Sequence, residues 1–324
     1  MVNNPIYYSG IEELNRERKQ GHYNYNDDKN YYKIVINDHI KNRYQILKKL
    51  GKGSFGTVVL GFDHKYSSLH AIKIIRNESR FIKTTNREIK FLEELKGSNY
   101  IIKLEKEFEY NNHICLVFEY FGSDLYQKYI KKKTFIEYNL LLKIIYQIAD
   151  GLKYIHNKKI IHLDLKPENI LILGSNIKII DFGSSKKTTE KINSFYVQSR
   201  WYRSPEALLE IKYNQKVDIW SFGCMIYELF MTEPLFPGKN TTNQIYYIYS
   251  EFGKYPSIYN SKYLCNGVPI SVGSSKFVRE SKMLFIEKNK PQLHNIIMKC
   301  LSVDFKDRCD ANEILEDSLF KQLT

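Results

Sequence analysis

The chain contains 324 residues, and its 49 lysines and arginines against 36 aspartates and glutamates give a formal net charge of +13 at pH 7. Hydrophobic residues at 43% and charged residues at 26% are globular values, which excludes a chain that is disordered throughout. No apolar run approaches the roughly 18 residues of a membrane-spanning helix, and the first residues lack the basic and apolar regions of a secretory signal. A chain of this length forms one large domain or two lobes.

Cysteine usage and charge restrict the setting further. Five cysteines, an odd number without a C-x-x-C pair, argue against a disulfide framework and a cysteine-rich zinc site. We therefore expect an intracellular protein of the cytoplasm, the nucleus or both. The basic excess fits nucleic acid, acidic lipid or phosphorylated ligands, and its simplest interpretation is a solvated lysine-rich surface.

The first part of the chain predicts an extension followed by a sheet. Residues 1–38 are polar and rich in Tyr and Asn, so we expect little core of their own. From Tyr44 onward, short runs with β-branched residues alternate with Gly or polar turns, which is typical of strands. The predicted strands cover residues 44–50, 57–62, 70–75, 100–110 and 113–120, and one helix covers residues 84–95. A small, mostly antiparallel sheet with one helix is the result.

After Gly122 the pattern becomes helical. Apolar residues recur at helical spacing through residues 136–159, and residues 216–231 are apolar nearly all round, which favours two buried helices. We also expect short strands near 170–174 and 176–181, a loop or insert over 253–290, and terminal helices over 291–301 and 311–320. The fold class is therefore α+β, with a β-rich lobe of about residues 44–120 and a larger, mostly helical lobe of about residues 121–324.

The first chemical motif is Gly51-Lys52-Gly53-Ser54-Phe55-Gly56-Thr57-Val58, which fits G-x-G-x-x-G-x-V. Taken alone it is weak, because dinucleotide-binding turns and simple hairpins use the same glycines. A dinucleotide-binding turn opens a helix, whereas strand-like residues follow here. The motif therefore predicts a strand-turn-strand whose backbone can approach phosphates.

A lysine and a glutamate follow the glycine motif. Lys73, in Ala71-Ile72-Lys73, lies on a predicted strand, and Glu88 lies on the predicted helix. An ion pair between them would hold the lysine against two phosphates. The simpler alternatives are an exposed strand lysine and, for Glu88, a helix capping box with Thr85.

The most informative segment is His162-Leu163-Asp164-Leu165-Lys166-Pro167-Glu168-Asn169, with Asp181-Phe182-Gly183 after it. Asp164 can accept a hydroxyl proton, and Lys166 can neutralise charge on a transferred phosphoryl group. Asn169 and Asp181 supply hard oxygen ligands that suit Mg²⁺. The alternative, that these residues only cap turns, does not explain why both strings occur in order.

These motifs, with Ser204-Pro205-Glu206, resemble those of the eukaryotic protein kinases over residues 44–320. The resemblance implies the two-lobe kinase fold, ATP and Mg²⁺ as cofactors, and phosphoryl transfer. It divides the chain into an N-terminal extension over residues 1–43 and a kinase domain over residues 44–324.

The resemblance also implies roles for individual residues. Asp164 and Lys166 would be catalytic, and Asn169 and Asp181 would bind the metal. The cofactor-binding residues would be Gly51, Gly53, Ser54, Phe55, Gly56, Val58, Ala71, Lys73, Glu88, Phe118, Glu119, Phe121 and Asn169.

Three further positions would be structural. Asp218 would brace the catalytic loop, and Glu206 with Arg308 would form a buried ion pair.

The activation segment points to one branch of the family. Tyr196-Val197-Gln198-Ser199-Arg200-Trp201-Tyr202-Arg203, followed by Ser-Pro-Glu, resembles the dual-specificity tyrosine-regulated kinases, the DYRK family of the CMGC group. Leu163 replaces the arginine of most kinases, as in that branch, and Tyr25-Asn26-Asp27-Asp28 resembles its N-terminal homology box. The resemblance implies autophosphorylation of Tyr196, with Arg200 and Arg203 holding the phosphate. The simpler interpretation of Tyr196 is a packed tyrosine.

The expected partners are protein substrates. The resemblance implies Ser or Thr acceptors with an arginine upstream and a proline after the acceptor, no nucleic-acid or membrane partner, and a monomer. Glu168 and Glu233 match the acidic positions that would attract the arginine, and the alternative for both is a solvated surface carboxylate.

Two other functions compete with catalysis. A pseudokinase that acts as a binding scaffold usually lacks one of the motif residues, all of which are present here. A nucleic-acid-binding protein would show a recognisable module, which the sequence lacks.

Overall fold

The computed structural model of the chain describes residues 24–191, 196–270 and 282–321. Within these residues the chain forms two compact units. The first contains residues 24–89 and 103–120, and the second contains residues 90–102 and the described residues from 121 onward. None of the helices in the described part of the chain has the length and apolar character that crossing a bilayer requires.

The first unit is built on a six-stranded antiparallel sheet. Its strands are β1 (His39–Ile40), β2 (Tyr44–Lys52), β3 (Gly56–Asp63), β4 (Ser68–Ile75), β5 (Leu104–Tyr110) and β6 (His113–Glu119), in the order β1-β2-β3-β4-β6-β5. One face of the sheet carries the core, to which Ile46, Val59 and Ile72 contribute. The other face carries the side chains of the alternate residues, since successive residues of a strand point to opposite faces.

The first helix, α1 (Ser79–Glu94), begins five residues earlier than predicted. Thr85 therefore lies inside the helix and not at its N-terminus, which makes the capping-box interpretation of Thr85 and Glu88 wrong. The five added residues include the apolar Phe81 and Ile82, which the prediction left outside the helix.

The N-terminal extension contributes to the first unit. Tyr32 is buried in the sheet core, so the expectation that this region has little core holds only in part. His113, fully buried, anchors the segment, with its Nδ1 at 2.6 Å from the carbonyl oxygen of Ile75 and its Nε2 at 2.6 Å from Oδ1 of Asn26. Residues 1–23 lie outside the described part of the chain.

The second unit is mostly helical. Its helices are α2 (Tyr138–Asn157), α3 (Pro205–Leu208), α4 (Lys216–Met231), α5 (Thr241–Phe252), α6 (Leu284–Asn289), α7 (Pro291–Cys300) and α8 (Ala311–Leu315). Its short strands are β7 (Ser123–Asp124), β8 (Ile160–Ile161), β9 (Ile170–Leu173), β10 (Asn176–Ile179), β11 (Lys186–Lys187), β12 (Leu264–Cys265) and β13 (Val268–Pro269). They pair as β10-β9-β7, β11-β8 and β12-β13.

Helix α4 occupies the centre of the second unit, as its apolar character predicted. Its residues from Val217 to Leu229 are all buried, including the polar Asp218, Ser221 and Glu228. Buried polar groups require partners, and the partners of these three side chains come from the segments that carry the candidate site.

Two regions differ from the prediction. Helix α5 was not expected, because its sequence is rich in Thr, Asn and Tyr; it begins where the side chain of Asn240 accepts a hydrogen bond from the N–H of Asn243. The predicted loop over 253–290 contains the β12–β13 hairpin and helix α6, while residues 271–281 lie outside the description.

A fully buried ion pair joins α3 to the chain after α7. Nη1 and Nη2 of Arg308 donate to the two carboxylate oxygens of Glu206 at 2.6 and 3.0 Å. The guanidinium also donates to the carbonyl oxygens of Ser302 and Lys216. Both side chains are 0% exposed, so each charge depends on the other for its compensation.

We expect Glu206→Gln to lower the free energy of unfolding by about 3–5 kcal/mol, because it leaves the Arg308 charge buried without its carboxylate. Urea unfolding followed by circular dichroism measures this loss. Glu210→Gln is the control, since Glu210 forms an exposed pair with Lys262 at 2.8 Å, and exposed pairs add little to stability because solvent screens them. Equal losses in the two variants would contradict the expectation.

Candidate active site

The glycine motif forms the turn between β2 and β3, so the strand-turn-strand prediction is confirmed. The N–H of Gly53 donates to the carbonyl oxygen of Gly56 at 2.9 Å, and the N–H of Arg76 donates to that of Phe55 at 2.8 Å. A Cβ on Gly56 would lie 2.1 Å from the carbonyl oxygen of Ile74, so packing alone requires glycine there.

Gly51 and Gly53 differ from Gly56. A Cβ at either position would meet no protein atom within 4 Å. Packing within the chain therefore gives no reason for glycine at these two positions. Space next to bare backbone is what a phosphate needs in order to reach the N–H groups, so the turn fits a phosphate ligand.

Lys73 and Glu88 form the predicted ion pair. Nζ of Lys73 donates to Oε1 and Oε2 of Glu88 at 2.8 and 2.9 Å. Glu88 is buried, and Lys73 is half-buried. The bidentate contact holds the ammonium in one place, and the alternative of a solvent-exposed strand lysine is wrong.

Three more of the predicted cofactor-binding residues lie on the same sheet face as Lys73. Val58 is the cross-strand partner of Lys73, and Phe118 is the partner of Ala71. Because Ala71 and Lys73 are two residues apart, all four share the face opposite the core. This face is partly exposed, carries aliphatic and aromatic side chains, and lies beside the fixed Lys73 ammonium. It therefore fits a ligand with a flat heterocycle and a negatively charged group.

Glu119 and Phe121 lie at the chain connection after β6. The backbone of Glu119 pairs with Lys103, and its Oε1 accepts a hydrogen bond from the N–H of Lys103 at 3.0 Å. The ammonium of Lys178 lies 5.7 Å from the centre of the Phe121 ring. The side chain and the N–H of Glu119 are therefore both engaged by the backbone of Lys103.

The catalytic-loop motif is held by Asp218 of α4. Its Oδ2 accepts hydrogen bonds from the N–H of His162 at 2.8 Å and from Nε2 of His156 at 3.0 Å. Its Oδ1 accepts from the N–H of Leu163 at 2.9 Å. Leu163 has φ of 65°, a left-handed conformation that is unfavourable for a bulky residue.

Asp164, the next residue, lies at the centre of a small polar network. Nζ of Lys166 donates to its Oδ2 at 2.8 Å, and Oγ of Ser199 donates to its Oδ1 at 2.8 Å. Lys166 also donates to the Ser199 hydroxyl at 2.9 Å. Nδ2 of Asn169 donates to the carbonyl oxygen of Asp164 at 2.7 Å and to its Oδ2 at 3.2 Å. The carboxylate is thus oriented by three neighbours.

Asn169 and Asp181 carry the oxygen atoms predicted to bind a cation. Since Nδ2 of Asn169 faces two acceptors, its Oδ1 is the atom available to a metal. Asp181 is left-handed, with φ of 66°, and precedes Phe182, which is fully buried with its ring 5.0 Å from that of His162. An amide oxygen and a carboxylate suit Mg²⁺, which completes its shell with water and phosphate oxygens. Among the described residues, no group of three or more Asp, Glu, His or Cys side chains is arranged to bind a metal ion.

Tyr196 and its two predicted arginines are arranged unequally. Tyr196 is 77% exposed, and the guanidinium of Arg203 lies 4.5 Å from the centre of its ring. Arg203 is buried and donates to the carbonyl oxygens of Val197 and Gln198 at 2.7 and 2.9 Å. Arg200 instead donates to the carbonyl oxygen of Lys239 at 2.6 Å. Residues 192–195, which precede Tyr196, lie outside the described part of the chain.

Two residues of the activation segment were not recognised from the sequence. Ser199 had no predicted role, although it contacts both Asp164 and Lys166. Gln198 is buried and left-handed, with φ of 62°; its Nε2 donates to the Ser221 hydroxyl at 2.7 Å, and its Oε1 accepts from the N–H of Ser204 at 3.1 Å. No sequence signal marks such roles, because a glutamine and a serine in a loop are common.

The predicted acidic residues Glu168 and Glu233 are exposed, and Glu233 lies 3.6 Å from Nζ of Lys282. A third carboxylate, Glu228, was missed because it lies within the apolar stretch of α4. It accepts a hydrogen bond of 2.5 Å from the hydroxyl of Tyr202. The pKa of Glu228 is raised to about 7, chiefly by burial, with a lowering effect of the Tyr202 hydrogen bond and a smaller raising effect of the nearby charge of Glu168.

Comparison with known proteins agrees with this arrangement. Residues 44–320 match the protein kinase domain. The human dual specificity tyrosine-phosphorylation-regulated kinase 3 is 42% identical over 259 residues, which is 76% of this chain and 44% of that protein. The dual specificity tyrosine-phosphorylation-regulated kinase mbk-2 of Caenorhabditis elegans is 40% identical over 242 residues, which is 72% of this chain and 29% of that protein. The probable serine/threonine-protein kinase dyrk2 of Dictyostelium discoideum is 43% identical over 242 residues, which is 72% of this chain and 26% of that protein.

The chain therefore belongs to the protein kinase family, and the two-lobe fold expected from the resemblance is confirmed. The resemblance to its DYRK branch is confirmed as well, since the relatives above carry that name. The matched region spans less than half the length of these relatives.

We expect the stability of the protein to fall as the pH rises from about 4.5 to about 7 through Glu228. Its raised pKa means that the folded protein keeps a proton which the unfolded chain releases in this range, so unfolding is favoured increasingly as the pH rises. Glu228→Gln removes this effect and can still accept the Tyr202 hydrogen bond. Its melting temperature relative to the parent should therefore rise by a few degrees between pH 5 and pH 8.

Thermal unfolding at several pH values measures this difference. Glu210→Gln is the control, since the pKa of Glu210 is lowered, chiefly by its hydrogen bond with Lys262. A pH-independent difference between Glu228→Gln and the parent would contradict the expectation.

Proposed function

We propose that this chain is an ATP-dependent protein kinase that phosphorylates Ser or Thr in protein substrates and its own Tyr196. The observation that carries the proposal is the environment of Asp164, whose two carboxylate oxygens are oriented by Lys166, Ser199 and Asn169. Family membership and the names of the similar proteins support the same activity.

Asp164 is the proposed base. Its carboxylate accepts the proton of the acceptor hydroxyl while the hydroxyl oxygen forms a bond to the γ-phosphorus and the bond to the ADP oxygen breaks. Lys166, which contacts Asp164, offsets negative charge on the transferred group. Because little covalent chemistry falls to the protein, fixed positions and charges provide most of the acceleration.

The cofactors are proposed on the same basis. Lys73, fixed by Glu88, is assigned to the phosphates, and the open backbone at Gly51 and Gly53 is assigned to the glycine loop's contact with them. Asn169 and Asp181 would hold Mg²⁺, which neutralises phosphate charge when it is bound.

The activation segment supports a preference for proline after the acceptor. The carbonyl oxygens of Val197 and Gln198 are already occupied by Arg203. A peptide residue with an N–H would lose its hydrogen bond to water there without gaining a partner, whereas proline has no N–H to lose. For an upstream arginine, Glu168 and Glu233 remain the proposed contacts.

Two proposals concern setting and regulation. Phosphate on Tyr196 would lie next to Arg203, whose guanidinium already contacts the ring, and a charge-assisted pair would order the segment. All five cysteines are free thiols, which supports the proposal of an intracellular protein. The binding-scaffold alternative gains nothing from the structure, because Lys73, Glu88, Asp164, Asn169 and Asp181 are all present.

Expression in a host without tyrosine kinases tests the proposed activity. We expect mass spectrometry to find phosphate on Tyr196 and a Mg-ATP assay to show transfer to a basic Ser/Thr peptide. Asp164→Asn should lose transfer by several orders of magnitude and lack phosphate on Tyr196, while it still binds ATP. A folded parent protein with neither activity would contradict the enzyme assignment. Full turnover by Asp164→Asn would mean that another group is the base.

Peptide comparison tests the proposed substrate preference. Replacing the proline after the acceptor by alanine should lower kcat/KM on the order of tenfold, because it introduces an N–H without a partner. Replacing the upstream arginine by alanine should also lower kcat/KM, and this loss should shrink in Glu168→Gln. Equal kcat/KM values for the proline and alanine peptides would contradict the role assigned to the activation segment.

A further inference from the structure

The segment before the sheet contacts the tip of the glycine loop through Tyr31. The hydroxyl of Tyr31 donates to the carbonyl oxygen of Gly53 at 3.0 Å and lies 3.5 Å from that of Ser54. Tyr31 is only 9% exposed. None of the predicted roles of this segment includes contact with the loop.

The ring of Tyr31 contacts two cations. Nζ of Lys52, at the end of β2, lies 3.7 Å from the ring centre, and the guanidinium of Arg76, which follows β4, lies 4.8 Å from it. A cation over an aromatic face is attracted by the electrons of the ring, and the attraction is stronger when water is excluded. The ring therefore connects the extension to the end of β2, where the loop begins, and to Arg76, whose N–H donates to the carbonyl oxygen of Phe55 in the loop.

Other residues of the N-terminal extension also contact Lys52 and the residues that follow β4. Oδ2 of Asp27 lies 3.5 Å from Nζ of Lys52. Nε of Arg76 donates to the carbonyl oxygen of Lys29, and the N–H of Asn77 donates to that of Asn30. Tyr31 is thus part of a contact of several residues and not an isolated side chain against the loop.

The loop has a physical need for such a contact. Gly51 and Gly53 have open space where a side chain would be, and glycine loses more conformational freedom on ordering than any other residue. A hydrogen bond from outside the turn reduces the number of loop conformations before a ligand binds. Less ordering then remains to be done on binding, which raises affinity.

We propose that Tyr31 is a positioning residue for nucleotide binding, which acts by holding the Gly53 carbonyl and so pre-ordering the glycine loop. The assignment of the loop to a nucleotide rests on the proposed function. The contact with the loop itself rests only on the geometry above.

Tyr31→Phe is the decisive variant, because it keeps the ring and its contacts with the two cations and removes only the hydroxyl. A net hydrogen bond of about 0.5–1.5 kcal/mol corresponds to about 2- to 10-fold. We expect amide hydrogen exchange at Gly53, measured without nucleotide, to become about 2- to 10-fold faster. The Kd for a fluorescent ADP analogue and the KM for ATP should rise by a similar factor, with little change in kcat.

Two further variants provide a more severe change and a matched control. Tyr31→Leu also removes the contacts of the ring with Lys52 and Arg76, and its effects should exceed those of Tyr31→Phe. Tyr66→Phe is the matched control, since its ring likewise lies near two cations, Arg43 at 5.1 Å and Lys65 at 5.0 Å, and should leave loop exchange unchanged.

Unchanged exchange at Gly53 in Tyr31→Phe would overturn the proposal, as would faster exchange with unchanged nucleotide affinity. If the parent protein binds no nucleotide, the nucleotide role fails together with the proposed function. The exchange experiment still decides whether Tyr31 orders the loop, so the two failures can be told apart.

Discussion

The buried carboxylate of Asp218 is the interaction on which the candidate catalytic centre depends. It accepts three hydrogen bonds, two from the backbone of His162 and Leu163 and one from His156. The left-handed backbone at Leu163 costs on the order of 1–3 kcal/mol and persists only when its surroundings impose it. The Asp218 carboxylate supplies that constraint, and the direction of the following residue, Asp164, is a consequence.

The same helix holds the activation segment. Asp218, Ser221 and Glu228 are spaced by three and seven residues along α4, so they lie on one helix face. Ser221 contacts Gln198 and the carbonyl oxygen of Tyr202, and Glu228 contacts the Tyr202 hydroxyl. One polar stripe on an otherwise apolar helix therefore fixes two separate segments.

This stripe explains how the two segments meet. The catalytic loop brings Asp164, and the activation segment brings Ser199, whose hydroxyl completes the contacts of the carboxylate. Each segment is irregular and contains a left-handed residue other than glycine, Leu163 in one and Gln198 in the other. Irregular backbone next to chemistry is stable here because a rigid, buried helix supplies its hydrogen-bond partners.

The sequence allowed the motif residues to be predicted, because their order and spacing carry the signal. The place of the glycine loop between two strands followed from local patterns, whereas the pairing of Lys73 with Glu88 followed from the resemblance to the protein kinases. The roles of Ser199 and Glu228 could not be predicted, since they depend on which segments pack against α4. Glu228 in particular reads as part of an apolar stretch, and only its burial beside Tyr202 distinguishes it from the surface carboxylate Glu233.

Tyrosine rings provide contacts for several of the basic residues in the described part of the chain. The chain has 26 tyrosines, and several present a ring face to a cation: Tyr31 to Lys52 and Arg76, Tyr66 to Arg43, Tyr138 to Lys290, and Tyr196 to Arg203. A ring face attracts a cation without supplying a negative charge. Some of these cations also contact a carboxylate, as Lys52 contacts Asp27 and Arg43 contacts Asp63, so the ring faces act together with ion pairs and do not replace them.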